Sequence, residues 1–264
     1  MKRALVFFLA LLVLCFVLPA GAEFAPEDAE TLRDRLQSAY DITILIGKEC
    51  SGYTLEDHEI RIVPEGDTPF QRLIAGNQRF CELLRLMDEA FAAYLPDFFS
   101  RFRTKRYPDN VRFLLVDEIL GTKGLSFNGI QTMGDRGFDI IFARTDCDLA
   151  LIHHEIWHAM EIRISLAKPM NFGTWRSLNP GGFKYTKNYA AGADGWTETE
   201  PDDWFVREYS KSFETEDRAT VFEAMMTKDE EWWSTRPHLQ KKAKYLQRRI
   251  EPVFGKTGSL RFLR

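Results

Sequence analysis

The residues best suited to do chemistry are His154-Glu155-Ile156-Trp157-His158, an H-E-x-x-H pentapeptide inside the stretch Ile152 to Glu161. On a helix of 3.6 residues per turn, positions i and i+4 share a face, so the two imidazoles converge on one point and can share a metal ion. Neutral imidazoles suit zinc, and two of them fill half of a tetrahedral shell. Glu155 then stands beside a remaining position, where a carboxylate can take a proton from a metal-activated water. The chain has five histidines. Chance would produce the pattern in roughly one chain in a hundred of this composition, which sets it apart from an accidental pair of surface imidazoles.

A ligand pair of this kind needs a helix, and the flanks supply one. Thr145-Asp146-Cys147-Asp148 has the capping-box form with Thr145 as N-cap, and Lys168-Pro169 supplies a stop. Leu149, Ile152, Ile156, Ala159 and Arg163 share a face that is mainly core. His153, rotated about a third of a turn from the ligand face, packs or hydrogen-bonds rather than binds metal. His58 and His238 have no constellation around them. Just upstream, Phe138 to Ala143 reads as a strand. It is either an ordinary inner strand or the cleft edge on which an extended peptide adds by backbone hydrogen bonds.

Two histidines do not hold a catalytic zinc; a third protein ligand is expected, with the fourth position left for water. The continuation to Glu161 lacks the Gly and third His of the metzincin pattern. Glu161 lies on the ligand face, as a partner that fixes an imidazole or as surface charge. Further acids downstream are Asp194, Glu198, Glu200, Glu208, Glu214, Glu216 and Glu223, and composition alone does not choose among them.

A second stretch adds a resemblance. Tyr209 and Glu214-Thr215-Glu216-Asp217-Arg218-Ala219-Thr220-Val221-Phe222 resemble the downstream zinc-binding helix of gluzincin metallopeptidases of the anthrax lethal factor type. There a Tyr stands seven residues before the ligand Glu, an Ala three after it and a Phe six after it. Tyr209, Glu216, Ala219 and Phe222 occupy those places. The resemblance implies Glu216 as third zinc ligand and Tyr209 as the phenol that stabilises the oxyanion. It departs at Thr220, where the family has an acid, and it spans roughly residues 145 to 255 without reaching the N-terminal half.

The N-terminus carries an export signal. Met1-Lys2-Arg3 is basic, Ala4 to Leu18 is continuously apolar and Ala20-Gly21-Ala22 fits a cleavage site, so residues 1–22 read as a signal peptide, with a retained signal anchor as the alternative. The protein is then secreted or extracytoplasmic, periplasmic in a Gram-negative cell, with no stable membrane insertion after cleavage. Without Lys2 and Arg3 the 35 basic residues fall to 33 against 39 acidic, a net charge of −6, which argues against nucleic acid as a partner. Cys50, Cys81 and Cys147 allow one internal disulfide at most, Cys50 with Cys81 being the expected pair. Nothing in the sequence sets an oligomeric state.

Residues 23–264 read as one catalytic domain, with helices and sheet over 23–144 and metal-binding helices and loops over 145–264. Expected elements are a helix from Ala25 to about Tyr40, strands over 42–46 and 59–63, and a long amphipathic helix from Asp67-Thr68-Pro69 to Tyr94. A strand over 111–120 and a short one at 130–133 follow. The segment after Pro169, rich in Gly, Asn, Trp and Tyr, reads as a wall of the cleft. A helix from Glu214 through Met226 precedes one from Pro237 to Phe254, whose Lys241, Lys242, Lys244, Arg248 and Arg249 suggest a solvated face. The expected fold is α+β and zincin-like, a small mixed sheet packed on the active-site helix with a mainly helical C-terminal part.

The expected activity is a secreted zinc peptidase, most simply an endopeptidase acting on a peptide or protein substrate. Zinc sits on His154, His158 and Glu216, Glu155 is the general base and Tyr209 supports the oxyanion. Two rivals stand beside it: an exported binding protein with a structural or vestigial zinc site, and a zinc hydrolase with Asp194 as third ligand.

Overall fold

The computed structural model describes residues 28–61, 69–121, 125–143, 147–167, 172–188 and 202–255. The signal-peptide stretch, Thr145, Lys168-Pro169 and the acids Asp194, Glu198 and Glu200 lie outside them.

Helix α1 (Ala29–Tyr40) begins at Asp28, whose carboxylate accepts from the Thr31 amide at 2.8 Å, and ends at Asp41 in the left-handed region. Strand β1 (Thr43–Ile46) follows, then β2 (His58–Arg61) and helix α2 (Pro69–Phe91). Next come β3 (Arg112–Val116), β4 (Glu118–Gly121), β5 (Ser126–Phe127), β6 (Gly129–Met133) and β7 (Phe138–Ala143). Helix α3 (Leu149–Ala167) carries the H-E-x-x-H residues. Helices α4 (Glu214–Thr227), α5 (Glu230–Ser234) and α6 (Pro237–Phe254) complete the described chain. Pro237 opens α6 at a position where its missing N–H costs nothing, and Gly255 (φ 74°) ends it.

The strands form two sheets. One has four strands in the order β1-β3-β7-β6, with β1, β3 and β7 parallel and β6 antiparallel to β7. The other is antiparallel, ordered β2-β4-β5. Alternation along β3 and β7 divides the apolar side chains between two faces. Phe113, Leu115, Ile140 and Phe142 face the helices, whereas Leu114, Val116, Ile141 and Ala143 face the small sheet. The helical side forms one continuous core in which Phe98, Phe99, Phe102 and Phe254 tie the end of α6 to the first half of the chain. No helix among the described residues is long and apolar enough to cross a membrane.

Several expectations change. The strand over 111–120 breaks at Asp117, because that carboxylate is 1% exposed, faces Arg79 at 3.3 Å and starts a segment that crosses to the other sheet. Residues 138–143 are an inner strand, paired on both edges and buried throughout; the edge strand on the cleft side is β6. Cys50, Cys81 and Cys147 are all free thiols. Cys50 packs on the small-sheet face and Cys81 on the helical face, so the sheet separates the pair expected to join. Helix α3 is capped by Asp148, whose carboxylate accepts from the Leu151 amide at 2.7 Å. Lys242 is 0% exposed, so α6 does not present it to solvent. Its ammonium donates to both oxygens of Asp217 at 2.8 and 2.9 Å and to the Trp204 carbonyl at 2.7 Å.

Candidate metal centre

Helix α3 is apolar on nearly every side and therefore buried, with Ile152, Ile156, Trp157, Ala159 and Met160 all at 0% exposure. Helix α4 lies against it and is buried from Glu216 to Met226. The contact brings three donors of distant sequence together. His154 Nε2 stands 3.0 Å from Glu216 Oε2, and His158 Nε2 stands 3.4 Å from the same oxygen. One donor atom from each residue lies within 4.8 Å of the other two. The imidazole rings meet edge to face, with centroids 4.8 Å apart.

This donor set fits a cation. Zinc at its usual distances would hold tetrahedral donors about 3.4 Å apart, close to the spacings present. The other nitrogen of His154, Nδ1, lies 3.0 Å from Glu223 Oε2. Both ring nitrogens of His154 thus face carboxylates, which can only accept: Nδ1 donates to Glu223, and the gap between Nε2 and Glu216 takes either a proton or a metal ion. A lone pair and a carboxylate at 3.0 Å need a positive centre between them. The proton affinities report the same need. Burial opposes charge on His154, yet hydrogen bonds to Glu216 and Glu223 outweigh it and lift its pKa to about 10. Burial likewise opposes charge on His158, and Glu216 reverses it. Burial would raise the Glu216 carboxyl, but the two imidazoles hold it well below the usual carboxylate range.

Glu155 is 6% exposed. Burial pushes its carboxyl upward, tempered by the charges of His158 and His154 and by a hydrogen bond from the Gln131 amide of β6. The same strand makes room for it at Gly129, where a Cβ would lie 2.7 Å from Glu155 Cγ and 2.9 Å from its Oε1. Edge strand and acid therefore fit only because position 129 has no side chain.

Tyr209 lies in a 3-10 turn over Glu208–Lys211, with its ring centroid 6.1 Å from that of His154. Both border a cleft of about 770 Å³ running between β6, the second half of α3 and the small sheet. Ile162, Leu166, Leu125 and Phe127 line its apolar part.

Other expectations resolve differently. Glu161 fixes no imidazole: it accepts from Trp157 Nε1 at 3.0 Å and takes a forked ion pair from Arg218 of α4. His153, by contrast, does as expected: it hydrogen-bonds the Tyr94 hydroxyl at 2.7 Å inside the core. Trp175 and Tyr185 do not wall the cleft; they donate to Asp217 at 2.9 and 2.7 Å behind α4. Glu208 and Glu214 bond Lys211 and the Arg176 and Arg218 guanidiniums.

Glu223 is one of the seven downstream acids. Its helical spacing was the available signal, since it lies two turns after Glu216 on the same face of α4 and so reaches the same imidazole. Arg207, Gly129 and Gln131 carried no signal in the sequence.

No family model matches this sequence, and no curated protein matches it either. Among solved structures, a crystal structure from Bacteroides caccae described as a "putative zinc-binding metallo-peptidase" is similar, with a TM-score of 0.50 at 15% sequence identity. The match covers 88% of this chain and 90% of that one. At this identity the likeness is one of fold, a mixed α+β architecture with small sheets.

Proposed function

We propose that the protein is an exported zinc-dependent peptidase of the gluzincin kind, with residues 23–264 as one catalytic domain. The observation that carries this reading is the convergence of His154, His158 and Glu216 within 4.8 Å, at a cleft that Glu155 also lines. His154, His158 and Glu216 would hold the ion. When bound, zinc supplies a Lewis acid that polarises the scissile carbonyl and acidifies a water. Glu155 takes the proton from the attacking water and returns it to the leaving amine. The Tyr209 phenol donates to the oxygen on which negative charge develops. A buried, raised carboxyl such as Glu155 suits proton transfer near neutrality better than a solvated one.

The substrate is a peptide in extended form. Among the described residues β6 pairs with β7 alone, and Gly129, Ile130 and Gln131 line the cleft, so an extended substrate could pair along the outer edge of β6. The two exposed large apolar side chains among the described residues, Leu125 at 37% and Leu166 at 42%, both border this cleft. They favour a substrate with a bulky apolar side chain.

The test pairs metal content with digestion of an unstructured protein, with and without chelator. Glu155→Gln should keep zinc and lose cleavage, whereas Glu216→Ala should lose affinity for zinc itself. Zinc bound as tightly by Glu216→Ala as by the parent would overturn the ligand assignment.

A further inference from the structure

We propose that Arg207 is a positioning residue that couples His154 to Tyr209, so that the metal ligand and the oxyanion donor are set by one side chain. The Tyr209 half rests on the peptidase reading; the His154 half rests on the donor cluster alone. The Arg207 guanidinium forks onto both oxygens of Glu223, Nη1 to Oε1 and Nη2 to Oε2, the latter at 2.9 Å. Glu223 is 3% exposed and gives the same Oε2 to His154 Nδ1 at 3.0 Å. A buried carboxylate is costly without a paired cation, and a planar fork fixes its orientation as a point charge would not. Through Glu223, Arg207 thus fixes where the His154 ring points.

The other end of the same residue reaches Tyr209. The guanidinium carbon lies 6.0 Å from the centroid of the phenol ring. The Arg207 amide donates to Ser210 Oγ at 3.2 Å, and Ser210 Oγ meets Thr220 Oγ1 of α4 at 2.9 Å. The turn is therefore fastened to α4 on both sides of Tyr209, by Arg207 on Glu223 and by Ser210 on Thr220. Thr220 bonds the turn, and Glu223, one turn later on α4, carries the carboxylate.

The experiment uses Arg207→Met, Arg207→Lys, Glu223→Gln and the Arg207→Met/Glu223→Gln double variant in the full chain. Zinc affinity is read by competition with a chromophoric chelator, and peptide hydrolysis is read separately. Arg207→Met and Glu223→Gln should each weaken zinc about 10 to 100-fold, the range for outer partners of a ligating histidine. The double variant should match the weaker single rather than their product, because both act through one carboxylate. Arg207→Met should also lower kcat beyond Glu223→Gln, through Tyr209. Arg207→Met strands a buried carboxylate; if it does not fold, Arg207→Lys and the double variant, which do not, give the same reading. Zinc affinity within twofold of the parent in a folded Arg207→Met or Arg207→Lys protein, with only a lower melting temperature, overturns the proposal. So does a double variant whose loss is the product of the singles. If the parent cleaves no peptide, the peptidase reading fails while the His154 arm is still decided by zinc affinity.

Discussion

Replacing Gly129 by Ala adds one methyl group, and the structure says where it goes. The new Cβ would lie 2.7 Å from Glu155 Cγ, where ordinary contact begins at 3.4 Å, so the acid or the strand must retreat by about 0.7 Å. Strand β6 is tied to β7 along its whole length, and its Gln131 amide is hydrogen-bonded to Glu155, so the side chain of Glu155 is what moves. A displacement approaching 1 Å at a reacting group costs on the order of a hundredfold in rate, or about 2.7 kcal/mol in the barrier. The metal ligands come from α3 and α4, and their contacts do not pass through Gly129. Gly129→Ala should therefore bind zinc like the parent, keep its melting temperature within a few degrees and lose about two orders of magnitude in kcat. The assay is steady-state hydrolysis of a fluorogenic peptide, with zinc content on the same sample. Gly181, with nothing within 4 Å of its Cβ direction, is the control, and Gly181→Ala should be silent. Full kcat in a zinc-replete Gly129→Ala protein would refute the view that the position of Glu155 matters to turnover.

Other outcomes follow from the same geometry. Lys242→Met leaves Asp217 buried without its cation, which should cost about 3–5 kcal/mol in urea unfolding, while Lys242→Met/Asp217→Asn should cost much less; a loss below about 1 kcal/mol in the single variant would contradict the buried pairing. Cys50, Cys81 and Cys147 should all alkylate in denaturant without reductant, and native Cys50, whose pKa burial pushes up to about 12, should resist alkylation at pH 8. A disulfide-linked Cys50–Cys81 peptide in a non-reducing digest would contradict this. Leu166→Glu should raise KM about tenfold, ~1.4 kcal/mol, for peptides with a bulky apolar side chain while leaving kcat nearly unchanged, because it alters the rim of the cleft and not its chemistry. An unchanged KM would remove Leu166 from the substrate path.

Local patterns were legible without the fold. The i, i+4 spacing of His154 and His158 needs only one helix, and their rings do meet on one face. The bounds of α6 at Pro237 and Phe254 and the end of α1 at Tyr40 are expected from local pattern, because starts and stops are near-neighbour effects; the expected start of α1 at Ala25 lies outside the described residues. The resemblance around Tyr209 singled out Glu216, which the structure places 3.0 Å from His154.

Tertiary packing decided the rest, since it concerns groups far apart in the chain. Glu223 reaches His154 across 69 positions, and Arg207 joins them only because the turn after Phe205 folds onto α4. An apolar run such as Phe138 to Ala143 looks the same at an edge or in the middle of a sheet; pairing on both sides made β7 inner and left β6 as the rim of the cleft. Lys242 sits in a basic stretch whose neighbours suggest solvent, and its burial became visible only with Asp217 opposite it. A charge is classified by its partner, and partners across a fold are not written in local spacing.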